Sequence, residues 1–284
     1  LYGSEAVAGV INVITKDPAR QPKLGLSTML TTHGESYGTL SFAPKVGKWN
    51  TYWGLDWGYS NTFSDENGDG FSDRIHMDRY TIFSKWSMDR PEKRRFNIFG
   101  KLYYEDRRNG VEAFLKNRAY REIRGSDYYY GESIYTQRAE VFGTYDLATP
   151  TRMWIDFAFN SHNQNSYYGA DLYEAEQQVG FTNVIWNPKL NKHDLLLGLT
   201  NRLLRYDDNT VATPNGADLQ YIPGVFVQDE WTIQPKMTLL LGSRLDLYRG
   251  NGPIFSPRLN LKFKMGDWTT WRLNAGTGFR LVNL

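Results

Sequence analysis

The sequence contains no cysteine, which excludes a disulfide framework and any thiolate metal site. Its four histidines, His33, His76, His162 and His193, are scattered, with no paired spacing for a metal or haem. Long apolar runs are missing too. No stretch approaches the ~18 apolar residues of a membrane-spanning helix, which excludes a helical membrane protein but not a membrane barrel, where only every second residue must be apolar. Charge of one sign is not in excess: 33 basic residues face 31 acidic ones, a net +2, and give no case for a nucleic-acid partner. No nucleophile elbow or metalloenzyme motif occurs, so the chain does not read as an enzyme. Sustained helical periodicity is absent, and the one ambiguous stretch, Val111–Arg124, reads as loop. There is no initiator Met and no signal peptide. Leu1 falls inside what reads as a folded motif, so a fragment of a longer exported protein is expected.

What is abundant is aromatic. Tyr, Phe and Trp (19, 15 and 9) make up 15% of the chain. They recur with period two. Trp53, Leu55, Trp57 and Tyr59 alternate with Gly54, Asp56 and Gly58, which places an aromatic face back to back with a small polar one on a strand. Similar alternation at Arg152–Asn160, Arg258–Lys264 and Arg272–Arg280, with weaker stretches between, predicts about thirteen strands of roughly ten residues, the length that crosses a bilayer when tilted. Short connections (47–50, 90–94, 148–151, 188–192, 234–236, 266–267) alternate with mostly long ones (61–78, 107–134, 161–174, 205–220). An up-and-down barrel has this asymmetry, with tight periplasmic turns and long outer loops. Trp49, Trp53, Trp86, Trp154, Trp186, Trp231, Trp268 and Trp271 fall near strand ends, as an aromatic girdle requires. A soluble sandwich or propeller also alternates, but has no reason to confine long loops to one end. The fold class is therefore all-β, a transmembrane antiparallel up-and-down barrel. An odd strand number and an end at Leu284 suggest a barrel cut before closure.

Two segments carry a family resemblance. Leu1–Lys16, LYGSEAVAGVINVITK, resembles the closing segment of the plug domain of TonB-dependent receptors. GVFVQDEWTI at Gly224–Ile233, FSPRLNLKF from Phe255 and RLNAGTGFR from Arg272 resemble barrel strands of the same family. The resemblance implies residues 1–18 as the end of a plug and residues 19–284 as the N-terminal part of a barrel of twenty-two strands. It further implies import of a scarce nutrient across the bacterial outer membrane, driven by TonB through a region outside this chain. Ala8-Gly9-Val10 and Ile14-Thr15-Lys16 resemble the branch that imports ferric siderophores and cobalamin. A ligand-sensing signalling receptor and a TonB-independent channel remain open.

Two loops carry candidate sites. In DENGDGFSD, Asp65, Asn67, Asp69, Phe71 (through its carbonyl) and Asp73 stand at positions one, three, five, seven and nine of a calcium loop, with Gly70 at six. Position twelve is His76 instead of a bidentate Glu. Structural Ca2+ is thus one expectation and a plain polar turn the other, since Asn-Gly and Asp-Gly form turns unaided. By analogy with calcium-ordered loops in cobalamin receptors, the motif also points toward cobalamin. The next long loop holds Arg118, Tyr120, Arg121, Arg124, Tyr128, Tyr129 and Tyr130, suited to an anionic ferric catecholate or to stacking on a flat macrocycle. The same composition suits contact with lipopolysaccharide or solvent. Arg258, Lys262, Arg272 and Arg280 are expected to face the lumen and a plug. No catalytic residue and no organic cofactor are expected.

Overall fold

The computed structural model describes residues 13–279 apart from 89, 127, 250 and 251. Most of the Leu1–Lys16 motif, together with Arg280 and Leu284, therefore lies outside the described residues. The strands are β1 (Leu24–Leu30), β2 (Ser36–Phe42), β3 (Lys45–Val46), β4 (Trp49–Ser60), β5 (His76–Met88), β6 (Phe96–Gly110), β7 (Gly131–Asp146), β8 (Arg152–Tyr168), β9 (Asp171–Asn187), β10 (Lys189–Leu190), β11 (His193–Asp208), β12 (Asp218–Gln234), β13 (Met237–Tyr248), β14 (Gly252–Lys264) and β15 (Thr270–Gly276). Thirteen of them form one antiparallel path in chain order, while the two-residue β3 and β10 pair only with β4 and β11. The sheet is open: among the described residues β1 and β15 do not pair with each other.

Two observations fix which face is the lumen. The Lys85 ammonium donates to the Thr15 hydroxyl and the Lys16 carbonyl, both at 2.8 Å, so the segment entering β1 lies on that face. The opposite face carries the apolar band. Register aligns Leu55 with Ile82 and Ile82 with Leu102, and Leu199, Val225, Leu245, Phe255, Leu259 and Leu273 continue it, all exposed. An apolar belt turned outward and polar residues turned inward are what lipid outside and water or plug inside demand.

The band is bounded toward the short turns by rings. Phe42 stacks on Trp53, and Trp86 sits edge-on to both Trp49 and Trp53. Trp154 departs from the expected girdle. It pairs in register with Asp146, on the lumen side, and its indole donates to Asp156 at 2.9 Å.

The main departure concerns length. Strands β5 to β9, β11 and β12 begin or end four or more residues beyond the stretch that alternates, always toward the long-loop side. The expected loop at 161–174 does not exist: β8 and β9 run through it and join at Gly169 and Ala170. Above the lipid both faces are polar, so the hydrophobic alternation stops while backbone pairing continues. The expected loop at 205–220 shrinks to residues 209–217 for the same reason. Val111–Arg124 is not wholly loop either; it contains two one-turn helices, α1 (Glu112–Leu115) and α2 (Tyr120–Ile123).

Candidate functional site

On the lumen face, register stacks polar side chains into rows that cross several strands. One row runs Thr81, Tyr103, Arg138, His162, Gln177, Tyr206 from β5 to β11. Its centre is Arg138, which donates through Nε to His162 Nδ1 at 2.7 Å and lies 5.9 Å from the Tyr103 ring centroid. Because Nδ1 accepts, His162 is neutral there and carries its proton on Nε2. Among the described residues the Nη1 and Nη2 groups of Arg138 have no acceptor, and the side chain is exposed. Lys101 also lies 5.9 Å from the Tyr103 ring centroid.

The neighbouring rows balance this charge. Above it, the Arg79 guanidinium binds the Glu105 carboxylate at 2.7 Å through Nε. Below it, Lys101 faces Glu140 at 3.7 Å. Tyr206 shares a hydrogen bond with Tyr173 at 3.1 Å and donates to Asp208 at 2.8 Å. Arg107, one pleat nearer the mouth, is exposed on the same face. Beneath the charged rows Phe83, Phe99 and Phe142 stack in a ladder, with centroids 6.2 and 4.6 Å apart. Phenol, guanidinium and imidazole groups thus converge on one wall above an apolar floor. Such a surface can accept a large planar anion by cation–π contact and charge-assisted hydrogen bonds.

The loop residues singled out by sequence divide. Register places Asp78, Asp106 and Arg108 on the outer face, and the excursion between β6 and β7 folds over them. Arg108 is fully buried, donates to Asp78 at 2.7 Å and lies 3.5 Å from Asp106. Tyr120, also fully buried, donates to Asp106 at 2.5 Å and packs against Phe114 and Leu115. Burial first, then the Asp106 bond, pushes the Tyr120 phenol up to about 12. Arg118 binds Asp78 at 3.1 Å, and Arg124 lies over the rings of Tyr135 and Tyr167. Arg121, mostly exposed, reaches Asp106 at 4.0 Å. These groups hold the loop to the wall. Tyr128, Tyr129 and Tyr130 are exposed, and Tyr130 meets Phe71 edge-on at 5.9 Å.

The acidic loop is folded as a self-capped turn. Asp65 accepts from the backbone amides of Gly68, Asp69 and Gly70 at 2.7, 3.1 and 2.9 Å. Asp69 accepts from the Phe71 amide and the Asn67 side chain at 2.8 and 3.0 Å, and Asp73 from the Glu66 amide at 2.6 Å. His76, at position twelve, is buried beside Arg108 in the β5–β6 register. Among the described residues no three acidic, His or Cys side chains come together as a metal-binding group. In this arrangement the Asp65 and Asp69 carboxylates accept from the loop's own backbone amides.

Sequence reasoning missed Tyr103, Arg138 and His162. They come from three strands, and only the register makes them neighbours.

Residues 26–284 match the family described as TonB dependent receptor-like, beta-barrel. Among solved structures, the ferric enterobactin receptor PfeA of Pseudomonas aeruginosa has a TM-score of 0.69 at 16% identity, covering 99% of this chain and 47% of that one. The siderophore receptor PirA of Pseudomonas aeruginosa gives 0.68 at 14% identity, covering 100% and 48%. The alcaligin outer-membrane receptor FauA of Bordetella pertussis gives 0.61 at 11%, covering 91% and 44%. No curated protein sequence matches the chain. At these identities the structural likeness is one of fold, and the chain spans a little under half the length of each relative. The open antiparallel sheet, its lipid-facing band and the match over nearly its whole length show that this chain belongs to the TonB-dependent receptor β-barrel family of the bacterial outer membrane.

Proposed function

We propose that the chain is part of a receptor that imports a ferric siderophore across the outer membrane, with energy passed on by TonB. In this reading residues 1–18 end a plug domain, residues 19–284 are barrel wall, and the lumen face between them is the ligand path. The observation that carries it is the lumen-facing group of Tyr103, Arg138 and His162, with Arg107 above it. A ferric catecholate is a flat-faced anion, and this wall offers cationic and aromatic groups at one height. The structural relatives, receptors of ferric enterobactin and alcaligin, support the same ligand class. The lumen-facing phenylalanine ladder gives an apolar surface for a plug to cover. Tyr128, Tyr129 and Tyr130 serve as an outer contact for incoming ligand. Outer-membrane lipid and lipopolysaccharide surround the wall.

Cobalamin is the less favoured ligand, because the loop that pointed to it turns its carboxylates onto its own amides. The test is uptake of radiolabelled ferric enterobactin by cells whose only catecholate receptor is the full-length protein. Uptake that disappears without TonB is the expected result. Uptake of cobalamin alone, signalling without uptake, or passage that does not need TonB would each replace this reading by another.

A further inference from the structure

Under the loop that joins β6 to β7, the outer wall buries an ionisable side chain that the ligand reading leaves unused. His76 opens β5 at its long-loop end, above Ile82 and the apolar band, and is only 3% exposed. Neither Nδ1 nor Nε2 has a hydrogen-bond partner among the described residues, and both are shut off from solvent. Register sets Arg108 directly opposite on β6, with a wholly buried side chain and an Nε that is also unpaired. A buried imidazole with no acceptor for a second proton, packed beside a guanidinium, is tolerated only in its neutral form.

The charged groups around it come from three elements. They are Asp78 on β5, Asp106 and Arg108 on β6, and Arg118, Arg121 and the Tyr120 phenol on the loop. The segment after β4 adds only the neutral Asn61, which accepts from Arg108 at 3.0 Å, and Thr62. Both carboxylates are engaged, Asp78 by Arg108 and Arg118, Asp106 by Tyr120 and Arg108. A proton on His76 would thus add a cation where arginines already outnumber carboxylates. Burial first, then Arg108, holds the imidazole below its usual range, with the Thr62 backbone pulling the other way.

The same groups hold the loop down, since Tyr120 and Arg118 reach the wall through Asp106 and Asp78. We infer that His76 is an acid-sensitive release: a proton on its imidazole drives Arg108 from the two carboxylates and frees residues 111–130 from the outer wall. Tyr128, Tyr129 and Tyr130 would move with them. A group whose folded pKa is lowered contributes fully above its unfolded value and loses that contribution as pH falls below it. For histidine that value is about 6.5, so the loop is closed at neutral pH and opens progressively below it. The inference needs the fold of the loop and not the identity of the ligand.

The test is limited proteolysis of the full-length receptor in detergent between about pH 7.5 and 5, with each rate divided by that of a free peptide of residues 111–130. Cleavage within the loop tracks the population of its open form, and the relative rate should rise about fivefold or more on acidification. His76→Gln and His76→Phe should both flatten that rise, while His33→Gln, between β1 and β2, should leave it unchanged. A loop that stays closed to about pH 5 in the unaltered receptor, or that opens equally in both His76 variants, overturns the inference. If a variant loosens the loop already at neutral pH, the unaltered receptor decides. Opening must then begin below about pH 6.5, and opening that begins only in the carboxylate range, near pH 4, overturns the inference as well.

Discussion

Arg108 is the side chain on which the outer loop depends. It is fully buried between Asp78 and Asp106, so Arg108→Ala would remove the buried cation they share and leave them only the partly exposed Arg118 and Arg121. Removing one partner of a buried ion pair costs about 3–5 kcal/mol. We expect rapid proteolysis within residues 111–130 in this variant, and a much smaller effect for Arg118→Ala, whose side chain is one-third exposed. The Tyr120 phenol gives the same contact a pH limit. Its pKa of about 12 lies above the usual value near 10. A group whose folded pKa is raised keeps its contribution below the unfolded value and loses it as pH rises through the folded one. Protease resistance of the loop should therefore hold to about pH 10 and fall between there and pH 12, and Tyr120→Phe should remove that step. None of this cluster was legible as a cluster. The sequence shows Arg and Tyr in a polar loop, but nothing in it says that the loop folds back onto the outer wall. The same applies to Arg138 and His162, twenty-four residues apart and joined only by register.

At the scale of the strand, period-two alternation reported lipid rather than backbone. It located the strands and their short turns because one face must be apolar where it meets hydrocarbon. It lost them above the membrane, where pairing persists between two polar faces, as at Asn163–Tyr168 and Asp171–Gln177. Strand packing also rests on glycines set against rings. A Cβ on Gly143 would lie 2.4 Å from the Asn97 carbonyl oxygen and 2.5 Å from the Phe157 ring, and the backbone oxygen cannot swing aside. Gly143→Ala should destabilise the full-length receptor by about 1–3 kcal/mol, the usual cost of overpacking, measured by urea unfolding in detergent. Gly266→Ala, in a turn with no heavy atom within 4 Å of the new methyl, should leave the midpoint unchanged.

For the whole molecule, the two faces of one sheet meet two solvents, and this is what the sequence conveyed best. Within the membrane band Leu55, Ile82, Leu102, Leu199 and Val225 face outward, while Lys85, Lys101, Glu140 and Asn160 face inward. Trp186 and Trp154 belong to opposite faces and can be told apart. In bilayers containing brominated lipid, replacing the outward Trp186 by Phe should reduce fluorescence quenching, whereas replacing the lumen-side Trp154 should not. The calcium motif shows the limit of such reading. Spacing alone counted the oxygens but could not show that the Asp65 carboxylate accepts from the amides of Gly68, Asp69 and Gly70. In the proposed reading the lumen wall at Tyr103, Arg138 and His162 receives an anionic ferric catecholate. Its most direct test is titration of the full-length receptor in detergent with ferric enterobactin, beside the Arg138→Ala variant. Binding should be saturable and should weaken by about tenfold or more, some 1.4 kcal/mol, when the guanidinium is removed. Binding that is absent, or that is unchanged in the variant, would contradict it.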